Sequence, residues 1–279
     1  MPPETLPTQE IADWRLLREA GAKHGLDFEI RYWDDPEVAR AGYDAALIRS
    51  CWDYTQRCDE FLAAIVGFES AGLRVFNPSS AVRWNARKTY LRELGATPLI
   101  DTIWLDAVSP ESVSRAFDAL DAAEIVLKPQ IGAGSRATLR LKRNQWSADD
   151  LIDAPRAAAM AQPFLPSIEK VGEYSLLWFG GRFSHAVRKL PNAGTWLANR
   201  IEAAHYQAVA PDAAMLRVAE IARAHAPAEG FYLRVDLVDA GKGDWRVIEI
   251  EAIEPYLFLA FAPEGADVLA EALSSVLSG

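Results

Sequence analysis

Residues Arg234 to Pro255, RVDLVDAGKGDWRVIEIEAIEP, read as two short apolar strands joined by a glycine-bearing turn. These strands nonetheless carry Arg234, Asp236, Glu249 and Glu251 where apolar side chains would pack better. Alternation puts Arg234 and Asp236 on one face of the first strand and Glu249 and Glu251 on one face of the second. With Val238 opposite Trp245, directly opposed residues share a face, and all four charges point the same way. Three crowded carboxylates repel one another, so something cationic must compensate: a metal, the arginine, or water on an exposed face. Buried carboxylates are costly unless paired or metal-bound, and Glu249, Glu251 and Glu254 lie close enough to Asp236 to make a metal the better reading. Oxygen-only ligands favour Mg2+.

The rest of the chain frames this hairpin. At 279 residues, half of them hydrophobic and 24% charged, it is long enough to bury a sizeable core in one domain or a few compact subdomains. A formal charge of −10 argues against nucleic acid or an anionic membrane as the main partner, since both demand a basic face. Cys51 and Cys58 are too few and too isolated for a disulfide framework or a zinc site. The polar, proline-rich start and the lack of a long apolar run suggest a cytoplasmic protein, and nothing in the composition opposes a homodimer.

Apolar spacing from Ile11 to Gly25 predicts a helix, "DFEIRYW" (residues 27–33) a strand, and Ala45–Arg49 a buried strand. A helix over 59–71 and the strand "LRVF" continue an alternating α/β pattern, and "NPSSAVRWNARKTYLREL" reads as a loop followed by a helix starting near Ala86. Farther on come strands "TIWLDA", "EIVLKPQ" and "ATLRLK", a hairpin around Gly180 and Gly181, and helices over 111–122, 213–224 and the C-terminal "ADVLAEALSSVLS".

Several stretches can carry chemistry. In "EIVLKPQIGAGSRAT", Lys128 precedes a loop with Gly132, Gly134 and Ser135, which offers an ammonium and backbone N–H groups to phosphate. Taken alone, a plain glycine turn between two strands is the better explanation. Lys88 taken alone is a solvated helix lysine. Gln162 to Leu165, with Phe164 between them, could face an adenine edge and Glu173 a ribose, or the segment could be a linker. His185 is either a substrate contact or a core histidine.

The order of these pieces is informative: a helix lysine, a lysine before a glycine loop, an apolar hinge, a glutamate, then Asp-x12-Glu-x-Glu. In "IRSCWDY", "NPSSAVRWNARKTYLREL", "VLKPQIGAGSRAT", "QPFL", "GEYSLLWFGGRFSHAVRK", "RVDLV" and "IEIEAIEPYLFL", the sequence resembles the ATP-grasp superfamily, and most of all its small stand-alone ligases of the cycloserine-synthetase type, related to bacterial glutathione synthetase. The resemblance implies α/β and α+β architecture in an ATP-grasp fold of three subdomains: 1–84 (N-terminal α/β), 85–165 (central lobe) and 166–279 (C-terminal lobe), with ATP clasped between the two α+β lobes.

It further implies that Lys88 and Lys128 hold the ATP phosphates under a lid of Gly132, Gly134 and Ser135. Gln162, Phe164 and Leu165 become the adenine hinge, and Glu173 the ribose ligand. Asp236, Glu249 and Glu251 bind Mg2+; Lys189, His185 and Arg234 serve the transferred phosphoryl group. Arg49, Trp52, Asp53, Tyr54 and Arg136 line the substrate pocket. The implied reaction activates a small carboxylic or amino acid as an acyl phosphate for attack by an amine. The alternatives are a phosphotransferase without ligation and an inactive nucleotide-binding module. Two departures stand out. The family usually opens with a buried strand, yet Met1–Gln9 has no apolar run, so either the N-terminal sheet lacks that strand or the gene start is set late. After Lys189 the chain has its own "NAGTWLANRIEAAHYQAV", which would sit near the acceptor.

Overall fold

The structure is a computed structural model that describes residues 8–198 and 204–279. The first residues of the proline-rich start and part of the stretch expected beside the acceptor lie outside the described residues. Three sheets organise the rest. In the first, β1 (Ala45–Leu47) runs parallel to β2 (Arg74–Phe76). The second is antiparallel, in the order β3 (Ile103–Leu105), β6 (Ala159–Pro163), β4 (Glu124–Pro129), β5 (Leu139–Lys142). The third, also antiparallel, has the order β11 (Trp245–Glu251), β10 (Tyr232–Asp239), β7 (Glu173–Phe179), β8 (Arg182–Pro191), β9 (Ala204–Val209).

Helices α1 (Thr8–Lys23), α2 (Cys58–Ser70), α3 (Ser79–Asn85), α4 (Pro110–Leu120), α5 (Ala213–Arg223) and α6 (Glu264–Ser278) cover these sheets. Local chemistry sets their limits. Ser109 and Ser112 cap the start of α4 reciprocally with Pro110 in its first turn, and Asp121 ends it in the left-handed region at φ 44°. The Asp212 carboxylate accepts from the amides of Ala214 and Met215, both at 2.8 Å, to start α5. The C-terminal α6 returns to the beginning of the chain: Leu269, Ala270 and Leu273 share a core with Leu17 and Ala20 of α1.

Two sequence expectations fail. The predicted strand at 27–33 is chain without a ladder to any described strand; among the described residues β1 pairs only with β2. The predicted helix from Ala86 is instead α3, which ends at Asn85, followed by a short 3-10 helix, Lys88–Glu93. Arg87 between them is extended at φ −122° and ψ 122°, and the Lys88 amide leaves the helix to donate to the Gln130 carbonyl at 2.8 Å. Strand β9 was not anticipated at all; its half-exposed alternation makes it an edge strand on β8.

The break in the helix has a purpose in packing. Strand β11 is the edge of its sheet, and side chains from the broken helix satisfy its free backbone. Asn85 Nδ2 donates to Ile250 O at 2.8 Å and its Oδ1 accepts from Ala252 N at 2.7 Å. The Tyr90 hydroxyl lies 2.7 Å from both Ile250 O and Ile250 N. Asn77 similarly donates to Tyr232 O at 2.9 Å and Ala252 O at 2.6 Å. With Asn85 and Tyr90 fixed to β11, Lys88 between them is carried to the acidic face of that strand.

Asn85→Ala leaves the Ile250 carbonyl and Ala252 amide buried without these partners. The Ala252 amide loses its side-chain partner at a cost of about 1–3 kcal/mol and the Ile250 carbonyl, which keeps Tyr90, loses about 1 kcal/mol more, so urea denaturation is expected to show a total loss of roughly 2–4 kcal/mol. A change below about 0.5 kcal/mol would refute the clasp.

Candidate functional site

The charged residues of β10 and β11 do share one face, by a different register from the one read off the sequence. Val238 faces Arg246, not Trp245, and a bulge follows between Asp236 and Leu237. The first offset alone would turn the second strand over. The bulge adds another residue and restores the alternation, so that Arg234 stands opposite Glu251 and Asp236 opposite Glu249.

All eight residues of β10 are buried. Arg234 Nε and Nη2 donate to the two carboxylate oxygens of Asp236 at 2.9 and 2.8 Å, and Nη2 reaches Glu251 Oε1 at 2.6 Å. Ser175 Oγ donates to Asp236 Oδ1 at 2.6 Å. Lys189, 1% exposed, pairs with Glu173 across the β7–β8 ladder and lies 3.4 Å from Asp236 Oδ2. Burial alone would raise the Asp236 carboxyl, but Arg234, Lys189 and Ser175 outweigh it and hold it well below the usual range. Burial drives Glu251 the other way, to about 7, because Glu249 and Asp236 oppose the relief that Arg234 gives. Asp236, Glu249 and Glu251 each offer one oxygen within 4.8 Å of the others, a hard-oxygen set suited to a divalent cation.

Cations approach this set from two other elements. Lys88 pairs with Glu249, and although burial alone would lower its ammonium, the glutamates keep it above its ordinary value. Lys128 sits at the end of β4, where burial lowers it and Gln162 Oε1 accepts from its Nζ at 3.0 Å. Gln162 Nε2 donates in turn to Thr102 Oγ1 at 3.0 Å, so Lys128 is linked directly to the segment read as a hinge. Phe164 carries the Arg140 guanidinium 3.4 Å from its ring centroid and meets Trp196 edge-on, and Leu165 follows, half-buried. The loop after Lys128 turns through left-handed conformations at Gly134 and Ser135, φ 59° and 57°, with Gly132 before them. Gly132 lines a small pocket with Lys88, Glu249, Glu251 and Glu254.

Other residues singled out in the sequence fall differently. Tyr54 is buried and borders that same small pocket. Trp52 is half-buried in a short 3-10 turn, and the exposed Asp53 accepts from Trp33 Nε1 at 3.1 Å. Arg136 is exposed on the glycine loop. Glu173, read as a ribose ligand, is 1% exposed and held by Lys189. His185 has both ring nitrogens engaged, by Leu257 O and Ser184 Oγ at 2.8 Å each, and burial lowers its pKa. Those bonds seat it against Gly265 at the start of α6, and none of its described contacts reaches the acidic set.

Three acids were missed or underrated. Glu254 is 6% exposed and raised well above its ordinary value by burial and by Glu251. Glu10 and Asp13, in the first turns of α1, are 3% and 4% exposed. Glu10 accepts from Ser50 Oγ at 2.8 Å, and Arg49 Nη2 lies 3.8 Å from it without a hydrogen-bond partner. The sequence held no signal for these two, since α1 is separated from β1 by more than twenty residues and the contact exists only in the fold.

Residues 3–77 match the family described as D-cycloserine synthetase DcsG, N-terminal domain. The cycloserine biosynthesis protein DcsG of Streptomyces lavendulae is 32% identical over 284 residues, covering 95% of this chain and 94% of that protein. A crystal structure of D-cycloserine synthetase DcsG superposes with a TM-score of 0.84 at 31% identity, covering 95% of both chains. The ATP-grasp ligase PsnB, solved with a phosphomimetic variant of its minimal precursor, Mg and ADP, superposes at 0.64 with 16% identity and 95% and 93% coverage. D-alanine–D-alanine ligase of Bacillus anthracis does so at 0.65 with 16% identity and 98% and 93% coverage. The last two establish a common fold.

Asp13 gives a test of the burial beside Arg49. Burial and the neighbouring Glu10 raise its carboxyl from 3.8 to about 7. The native state then binds more protons than the unfolded chain between those values, so stability falls as pH rises from about 4 to about 7 and levels off above. Asp13→Asn removes this term. Its stability relative to the parent is expected to increase by about 1–4 kcal/mol between pH 4 and pH 7.5, at 1.36 kcal/mol per unit; parallel stability curves would contradict the burial.

Proposed function

The chain belongs to the DcsG family of ATP-grasp ligases, and on that premise we propose that it activates a small carboxylic or amino acid as an acyl phosphate and passes it to an amine or similar nucleophile, giving an amide or a closed ring. It is an ATP-dependent carboxylate–amine ligase that uses ATP with Mg2+ and acts on small molecules. The observation that carries the assignment of residues is the gathering of Asp236, Glu249 and Glu251 within 4.8 Å, with Lys88 and Arg234 against them.

The donor set fits the group. Three carboxylate oxygens suit Mg2+, and Lys88 and Lys128 are ammonium groups aimed from two elements at the same face. When bound, ATP with its metal supplies the electrophilic phosphoryl group and screens the charge that develops on it. The protein's own residues do the rest. Asp236, Glu249 and Glu251 hold the cation, and Arg234 keeps Asp236 ionised for that task. Lys88 and Lys128 hold phosphate oxygens, and the loop from Gly132 to Ser135 offers its amides to them. Gln162 to Leu165 receives the base, and Lys189 fixes Glu173 and Asp236 in the sheet behind the reacting group. Arg49, Trp52, Tyr54 and Arg136 belong to the acceptor end, to which we add Glu254. A site shielded by both lobes protects an acyl phosphate from water. We divide the chain at 84/85 and 165/166, since each of the three sheets falls within one of the resulting segments.

Incubation with ATP, Mg2+, candidate acids and hydroxylamine tests the reaction: hydroxamate is expected in step with ADP. ADP release without hydroxamate, whatever the acid, would favour phosphotransfer and overturn the ligase chemistry.

Two variants test the residues. Glu249→Gln removes one metal ligand and the partner of Lys88 while keeping shape, so ADP production is expected to fall at least about 100-fold with an unchanged circular dichroism spectrum. Parental turnover across a Mg2+ titration would reduce the carboxylates to a structural role. Lys128→Ala is expected to lose most of the thermal stabilisation that ATP gives the parent, and an equal shift in both proteins would remove Lys128 from the nucleotide site.

A further inference from the structure

Strand β9 brings to the site a residue that its sequence pattern did not single out. The acidic face of the third sheet can be followed outward through its ladders: Val238 of β10 stands opposite Glu173 of β7, Glu173 opposite Lys189 of β8, and Lys189 opposite Tyr206 of β9. Directly opposed residues share a face, so Tyr206 lies on the same side of the sheet as Arg234 and Asp236, at the edge away from β11. Its exposed neighbours His205 and Gln207 alternate to the other side.

Aromatic packing fixes the ring. It meets Phe258 edge-on at 5.4 Å between centroids and Phe261 edge-on at 5.9 Å, and the Arg234 guanidinium lies over the other partner of this stack, 5.8 Å from the Phe258 centroid. Tyr256, 6.5 Å away, joins the cluster to the acceptor end, since Asp13 and Glu10, the acids beside Arg49, are the charges that act on its hydroxyl. Other polar groups of the face are committed. Ser175 donates to Asp236, Arg234 holds Asp236 and Glu251, and Lys189 holds Glu173 and Asp236. The Tyr206 phenol is half-buried and keeps its proton: burial and then Glu173 raise it above its ordinary value, against the pull of Arg234. A protonated phenol is a neutral hydrogen-bond donor.

We propose that Tyr206 is a further catalytic residue, whose hydroxyl donates to the carbonyl oxygen of the acyl phosphate while the amine attacks. The inference rests on the acyl-phosphate reading above and adds the residue that serves its second half. In that step the nitrogen lone pair forms the C–N bond and the carbonyl π pair moves onto oxygen, where the Tyr206 hydroxyl meets the new negative charge. Collapse restores the carbonyl and breaks the C–O bond to phosphate, which leaves with the electron pair and takes the proton that the amine gives up. Tyr206 keeps its own proton throughout. Its bond is strongest where charge develops, and a ring held by Phe258, Phe261 and Tyr256 needs no reorganisation to make it.

Tyr206→Phe removes the hydroxyl and keeps the ring, so its circular dichroism spectrum is expected to match the parent's. Both proteins are assayed with ATP, Mg2+, a panel of small amino acids and simple carboxylic acids, and hydroxylamine as the nucleophile. Hydroxamate formation by the variant is expected to be about 100-fold slower, with the KM for ATP within about threefold of the parent's and the first-turnover burst of ADP retained, because the acyl phosphate still forms. A hydroxamate rate equal to the parent's overturns the proposal and leaves the ligase reading intact. A loss confined to the KM for ATP, or an ADP burst that slows as much as hydroxamate does, also overturns it, by placing Tyr206 with the nucleotide or the phosphoryl step. A parent that makes no hydroxamate with any acid overturns the acyl-phosphate reading itself, and the role of Tyr206 falls with it.

Discussion

Everything at the site depends on the compensation of buried charge around Arg234. Asp236 and Arg234 lie in a strand that is buried along its whole length, where an unpartnered carboxylate or guanidinium would cost several kcal/mol. The sheet resolves this by register. Its ladders set Arg234 against Glu251, Asp236 against Glu249 and Glu173 against Lys189, and Lys189 also approaches Asp236 from β8, across the intervening β7. The cations leave a surplus of carboxylate at the outer end, on Glu249, Glu251 and Glu254, and Glu251 and Glu254 bind protons more readily than ordinary glutamates. A divalent cation with phosphate beside it is the chemistry that such a surplus fits.

A second constraint delivers the remaining cations. The edge of β11 would expose buried backbone if Asn85 and Tyr90 did not bond to Ile250 and Ala252. Holding both residues to the strand interrupts the helix at Arg87 and brings Lys88 onto Glu249. Backbone satisfaction and site assembly are therefore the same set of contacts. The Lys128–Gln162–Thr102 chain does the equivalent in the central sheet, joining the lysine at the end of β4 to the hinge segment on β6.

Much of this was legible before any fold was known. The hairpin, the Gly180–Gly181 turn, the helix that became α4 and the clustering of Asp236, Glu249 and Glu251 on one face all follow from local patterns: alternation, turn residues and helical spacing. The reading of 27–33 as a strand was locally sound too. Its composition suits a strand, but a strand needs a partner, and the described chain supplies none. His185 shows the opposite limit. The sequence left it open between a substrate contact and a core histidine, and the fold engages both its ring nitrogens with Leu257 and Ser184.

By itself, then, the sequence determined most of the elements, the family and the face on which the acids lie, because these rest on residue type and on spacings of two to four residues. Tertiary structure alone decided the bulge that preserves that face, the grip of Asn85 and Tyr90 on β11, the arrival of Lys88 at Glu249, and the meeting of Glu10 with Arg49. Each joins residues far apart along the chain. Such contacts are fixed by the demand that every buried polar group find a partner somewhere in the molecule, and no local pattern records where that partner will be.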